Sequence, residues 1–126
     1  MLYIEDNPIN QILVEELVRG HAGLAIESSS NGMAGVRRAA ELRPDLILID
    51  IQLPDIDGFE VMRRLREQPA TASIPCIALS ANAMPEDIAR ALAAGFEDYW
   101  TKPIAFTNFL SALERLFPEG LAAVTR

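Results

Sequence analysis

Apolar residues along this chain come in two rhythms. Short unbroken runs read as strands: Met1-Leu2-Tyr3-Ile4, Leu24-Ala25-Ile26, Leu46-Ile47-Leu48-Ile49, Ile74 to Leu79, and Tyr99-Trp100. The third has four apolar residues before Asp50, which predicts a strand buried on both faces. Between the runs, apolar positions recur at helical spacing. They are Ile9, Ile12, Leu13 and Leu17; Met33, Val36 and Ala40; Phe59, Met62 and Leu65; an alanine-rich stretch after Pro85; and Phe106, Phe109, Leu110 and Leu113. Punctuation agrees with these limits. Asn7-Pro8 supplies an N-cap and a proline at the first helical position, and Asn31-Gly32 a turn. Gly20 and Gly95 close the first and fourth helices, Arg43-Pro44 stops the second, and the fifth stops before Pro118.

Strand and helix therefore alternate five times. Right-handed crossovers turn that order into an α/β fold, a five-stranded parallel sheet with helices on both faces. A length of 126 residues makes one domain, with the small-residue stretch 119–126 read as a C-terminal tail or linker after a domain of residues 1–118.

Composition narrows the function. Eleven basic against eighteen acidic residues leave a net charge of −7, which argues against a nucleic-acid surface and against an anionic membrane. No apolar run approaches the roughly 20 residues of a membrane span, and no signal-peptide pattern precedes Met1. Cys76 is the only cysteine, so no internal disulfide forms, which fits a reducing, cytoplasmic setting. Within its apolar run it reads as a small buried hydrophobe. His21, next to Gly20, reads as a helix-end or surface residue.

Chemistry collects at the strand ends. Glu5-Asp6 follows the first strand, Asp50 the third, Ser80 the fourth and Lys102 the fifth. In a parallel sheet those ends open on one edge, where such folds place ligands. Three carboxylates there repel unless a cation joins them, and an all-oxygen set suits Mg²⁺ first and Mn²⁺ second. Lys102 and the Ser80 hydroxyl can take phosphoryl oxygens, giving a phosphoryl-transfer site with a carboxylate nucleophile. Taken singly, each residue has a plainer reading: Asp6 or Asn7 as a helix cap, Asp50 as a turn residue, Ser80 bonded to loop backbone, Lys102 solvated. Asp55, Asp57 and Gly58 do not make a calcium loop, because aligning the glycine puts Leu53 at the first ligand position and Arg64 where a bidentate Glu belongs.

Over essentially its whole length the chain resembles a receiver domain of the two-component response-regulator family. The matching segments are Leu2-Tyr3-Ile4-Glu5-Asp6-Asn7, Leu48-Ile49-Asp50 with Leu53-Pro54 and Asp57-Gly58, Ala78-Leu79-Ser80-Ala81, and Asp98-Tyr99 with Lys102-Pro103. The resemblance implies a doubly wound, flavodoxin-like sheet of order 2-1-3-4-5. It implies Asp50 as phosphoacceptor. Asp6 and Asp50 would bind Mg²⁺ directly, Glu5 through a water, and Gln52 by its backbone carbonyl. Ser80 and Lys102 would bind the phosphoryl group, the Lys102–Pro103 bond would be cis, and Tyr99 would be the switch aromatic, its alternative being a plain strand aromatic. Partners would be a histidine kinase or histidine phosphotransfer domain, with an effector domain or a homodimer possible through the surface of the fourth helix, fifth strand and fifth helix. Glu5 departs from the commoner Asp, and Ser80 stands where Thr is also frequent; Gln52 and Asn82 occupy positions that tune phosphate lifetime. The short first strand, with nothing before Met1, reads as a piece cut from a longer protein, and the wording resembles receivers at the C-terminal end of hybrid histidine kinases.

Two rival readings accompany this one. A pseudo-receiver would dock proteins without taking phosphate, but such domains usually lack the acidic pair, the acceptor or the lysine. A small phosphatase with an Asp nucleophile generally wants a second carboxylate two residues on, where this chain has Gln52.

Overall fold

The structure, a computed structural model, describes residues 1–19, 25–82 and 84–117. Five strands, β1 (Leu2–Ile4), β2 (Glu27–Ser29), β3 (Ile47–Asp50), β4 (Cys76–Ser80) and β5 (Asp98–Thr101), alternate with five helices. The helices are α1 (Pro8–Arg19), α2 (Gly32–Leu42), α3 (Gly58–Glu67), α4 (Pro85–Ala93) and α5 (Phe106–Leu116). All strand pairs are parallel and the order is β2-β1-β3-β4-β5.

The pleat divides the core. On one face Leu2, Ile4, Ile47, Ile49, Cys76 and Ala78 pack with Val61, Met62 and Leu65 of α3 and Val36 and Ala39 of α2. On the other Tyr3, Leu48, Ile77 and Leu79 pack with Val14 and Val18 of α1 and Phe109 and Leu113 of α5. The alternation follows from side chains pointing to opposite faces at successive strand positions. β3 and β4 are buried at every position, as their apolar runs predict.

Three sequence expectations shift. The second strand runs over Glu27–Ser29, three residues beyond the apolar triplet, because Leu2 pairs with Glu27 and Ile4 with Ser29 at the sheet's edge. An edge strand tolerates half-exposed polar residues, so hydrophobicity misplaces it. In α1 the inward residues are Val14 and Val18. Ile9, Ile12 and Leu13 are 56–68% exposed, since apolar residues cover too much of this helix for spacing to pick a face. In α2 Met33 is exposed, and Gly35, Val36 and Ala39 face the core. The expectations for Gly20, His21, Leu24, Pro118, the 119–126 tail and the Phe106 side chain lie outside the described residues.

Caps stiffen the edge that carries the strand ends. Asn7 Oδ1 accepts from the Ile9 amide at 2.8 Å, opening α1. Asp57 Oδ1 accepts from the Glu60 amide at 2.9 Å and opens α3. Asp55 reaches back to α2, its two oxygens each accepting at 2.8 Å from the Gly32 and Met33 amides. The two aspartates that mimic a calcium loop are thus helix caps. Gly58 also turns under Asp50: its N–H donates to the Ile51 carbonyl at 2.9 Å, and a Cβ there would stand 2.8 Å from the Asp50 carbonyl oxygen.

Candidate functional site

At the C-terminal edge of the sheet, the ends of neighbouring β1 and β3, and of β5 beyond β4, bring Glu5, Asp50 and Lys102 together. Lys102 Nζ donates to Asp50 Oδ2 at 2.9 Å and to Glu5 Oε1 at 2.8 Å. Glu5 and Asp50 are buried, and the Lys102 side chain is only one-fifth exposed. Such an ion pair, sunk below the surface, persists because one ammonium serves two carboxylates.

Two buried carboxylates and one cation leave one negative charge in excess. Burial, then the adjoining Glu5 carboxyl, pushes Asp50 well above the ordinary carboxylate range. Burial opposes ionisation of Glu5 too, but the adjoining Asp50 carboxyl and the hydrogen bonds from Lys102 and Asn10 outweigh it and hold Glu5 low. Lys102 is raised: burial works against its charge, and the two carboxylates overcome that.

Asp6 is exposed, yet a carboxylate oxygen from each of Glu5, Asp6 and Asp50 lies within 4.8 Å of the others. Among the described residues, Glu5 Oε2 is a buried oxygen without a hydrogen-bond partner. An orphaned carboxylate oxygen inside an all-oxygen acidic cluster fits a hard divalent cation and costs free energy without one. Glu5, Asp6 and Asp50 are the residues that could hold it. Gln52 borders the same site, its N–H donating to Asp50 Oδ1 at 3.1 Å.

Ser80 ends β4, and its Oγ accepts from the Asn82 amide at 3.2 Å. The hydroxyl is buried at the site's edge and makes no bond to Asp50 among the described contacts. A polar cleft of about 390 Å³ opens beside it, lined by Gln52, Ser80, Asn82, Asp87, Arg90 and Tyr99 among others. Tyr99 crosses its mouth, donating its hydroxyl to the Asn82 carbonyl at 2.7 Å. Arg90 of α4 lies 3.9 Å above the Phe59 ring. The Lys102–Pro103 bond is cis, as the resemblance implies.

The structure thus gathers Glu5, Asp6, Asp50 and Lys102 in one cluster, with Ser80, Gln52 and Tyr99 around it. Sequence reasoning missed two contributors. Tyr3 donates its hydroxyl to Glu5 Oε1 at 3.2 Å, and Asn10 its amide to the same oxygen at 2.8 Å. Strand period could have linked Tyr3 with Glu5; nothing in the spacing links Asn10, which reaches back from a helix.

Known proteins resemble this chain in sequence and fold. The model of the response regulator receiver domain matches residues 1–114. The polar-differentiation response regulator DivK of Brucella anthropi is 37% identical over 114 residues, 90% of this chain and 92% of its own. The receiver domain of the sensor histidine kinase PA1611 from Pseudomonas aeruginosa, solved with a magnesium ion coordinated in its active site cleft, superposes with a TM-score of 0.81 at 37% identity, covering 91% of this chain and 93% of that one. The signal receiver domain of a signal transduction histidine kinase from Syntrophus aciditrophicus gives 0.80 at 33% identity, covering 94% and 89%.

Proposed function

The chain belongs to the response regulator receiver domain family, and on that premise we propose that it takes a phosphoryl group from a phosphohistidine onto Asp50. The observation that carries the reading is the three-way cluster of Lys102, Glu5 and Asp50 beneath an exposed Asp6. Receiver domains are signalling domains of two-component systems, and their acidic pocket binds Mg²⁺. In this chain Glu5, Asp6, Asp50 and the Gln52 carbonyl would hold it. Bound there, Mg²⁺ supplies the charge neutralisation that keeps Asp50 ionised and screens the phosphoryl oxygens.

The chain's own residues do the rest. An Asp50 carboxylate oxygen attacks phosphorus in line; the new O–P bond forms as the P–N bond to imidazole breaks, and the imidazole leaves with the electron pair. Lys102, already 2.9 Å from Asp50, exchanges that contact for a phosphoryl oxygen. The Ser80 hydroxyl donates to another.

Switching follows from a short chain of contacts. Ser80 Oγ touches the Asn82 amide, and Asn82's carbonyl holds Tyr99. Drawing Ser80 inward releases or moves Tyr99, which alters the face made by α4, β5 and α5. Coupling of about 1–3 kcal/mol suffices for a population shift. Partner docking has support in α1, where Ile9, Ile12 and Leu13 are exposed and Leu13 lines a small recess with Lys102, Pro103 and Ile104. An apolar helix face beside the acceptor suits a helical kinase or histidine phosphotransfer domain. No helix among the described residues is long and apolar enough to cross a membrane; a cytoplasmic setting is part of the proposal. So are a domain of residues 1–118 and an origin in a hybrid histidine kinase, which two kinase-derived structural neighbours favour.

The test is phosphorylation with acetyl phosphate and Mg²⁺. The chain gains one phosphoryl group and Asp50→Asn gains none. Uptake by Asp50→Asn at the parent rate overturns the assignment, and Mg²⁺-dependent binding of beryllium fluoride separates it from a docking-only pseudo-receiver.

A further inference from the structure

Glu5 Oε1 accepts three hydrogen bonds, from Lys102 Nζ and Asn10 Nδ2 at 2.8 Å each and from the Tyr3 hydroxyl at 3.2 Å. Glu5 Oε2, also buried, accepts none. The asymmetry has a structural origin. Tyr3 and Glu5 are two residues apart on β1 and its extension, so they share the sheet face that packs against α1. Asn10 sits in the first turns of α1, whose start is fixed by Asn7, and Gln11 beside it donates to the Glu5 carbonyl at 2.6 Å. Both donors therefore come from rigid elements, one a strand and one a capped helix.

We propose that Tyr3 and Asn10 are positioning residues for metal binding: they hold Glu5 by Oε1, so that Oε2 is the oxygen left open to the cation, directly or through a water. The inference rests on the Mg²⁺-dependent reading above. Glutamate has one more rotatable bond than aspartate, and freezing it costs rotamer entropy. Two donors prepaid by the fold remove that cost and decide which oxygen turns toward Asp6 and Asp50. An oxygen already accepting three donors has no lone pair free for a cation, so the donors act as an orientation device beyond their hydrogen-bond strength. Lys102 alone cannot do this, because it also bonds Asp50 and must follow the phosphoryl group.

The experiment is a double-mutant cycle read as the Mg²⁺ dissociation constant, by calorimetric titration of the full chain. Tyr3→Phe keeps the buried ring, and Asn10→Ala removes a half-exposed amide, so both variants retain the core. Each raises Kd severalfold, and the pair raises it about tenfold, the usual cost of removing a ligand's supporting partner. In a Glu5→Asp background the shorter side chain no longer reaches both donors, and the same two changes alter Kd by less than about twofold. Unchanged Kd values in a parent that binds Mg²⁺ overturn the positioning role alone, as does an equal loss in the Glu5→Asp background. A parent that binds no Mg²⁺ overturns the underlying reading together with it.

Discussion

Lys102 Nζ and Asp50 Oδ2 lie 2.9 Å apart across 52 residues of chain. Neither can reach water freely, since the Asp50 side chain is 3% exposed and that of Lys102 21%. The contact therefore joins two strand ends on opposite sides of β4, and in the proposed reaction it would hold the nucleophile against the group that neutralises its product.

Removing the ammonium leaves two buried carboxylates facing one another. Lys102→Ala is expected to lose about 3–5 kcal/mol of stability in EDTA, as breaking one side of a buried pair does. Saturating Mg²⁺ restores part of that loss, because a second cation replaces the first. Denaturant unfolding with and without Mg²⁺ measures both; an equal loss in the two conditions contradicts the shared-charge account.

Stability without metal should fall as pH rises. Burial and the Glu5 carboxyl raise Asp50 from 3.8 to about 7. A folded pKa above the unfolded one means the contribution is complete below about 3.8 and is lost as pH climbs through about 7. The slope is at most about 1.4 kcal/mol per pH unit. Asp50→Asn flattens it between pH 4 and 7, which thermal unfolding across that window in EDTA detects.

Asp6 is the exposed carboxylate of the cluster, so its removal separates metal binding from folding. Asp6→Ala should unfold at the parent's midpoint in EDTA. In Mg²⁺ the parent gains about 2.7 kcal/mol at a hundredfold excess over Kd, and the variant gains little. Equal Mg²⁺ stabilisation of the two proteins would remove Asp6 from the ligand set.

Gly58 offers a test of how tightly the loop after Asp50 is built. A Cβ there meets the Asp50 carbonyl oxygen and the Ile51 Cα, each at 2.8 Å, and both belong to backbone. Gly58→Ala must move that backbone, so a loss of about 1–3 kcal/mol is expected, together with slower phosphoryl uptake. A variant with parent stability and parent uptake would show that the loop yields freely.

Much of this site was legible before any coordinates. A buried strand announces itself by an unbroken apolar run, and its end by the first charge, which is how Asp50 stands out. The helix starts at Asn7-Pro8 and at Pro85 were equally plain, because caps act within a few residues. Local signals failed where neighbours in space decided. β2 pairs at Glu27–Ser29 because β1 supplies its partners there, and no hydrophobic run marks an edge. The outward turn of Ile9, Ile12 and Leu13 was likewise hidden, since only packing against the sheet chose Val14 and Val18.

The sequence by itself determined the alternation of strands and helices, and with it the edge on which Glu5, Asp6, Asp50, Ser80 and Lys102 would emerge, because periodicity and chain direction are properties of consecutive residues. Only the tertiary structure decided that three donors crowd Glu5 Oε1 and none reaches Oε2, that Asp55 caps α2, and that Tyr99 rests on the Asn82 carbonyl. Those are angles and distances between side chains carried by different elements. A hydrogen bond is made or lost over about an ångström, a precision that sequence spacing does not carry and packed helices on a sheet do.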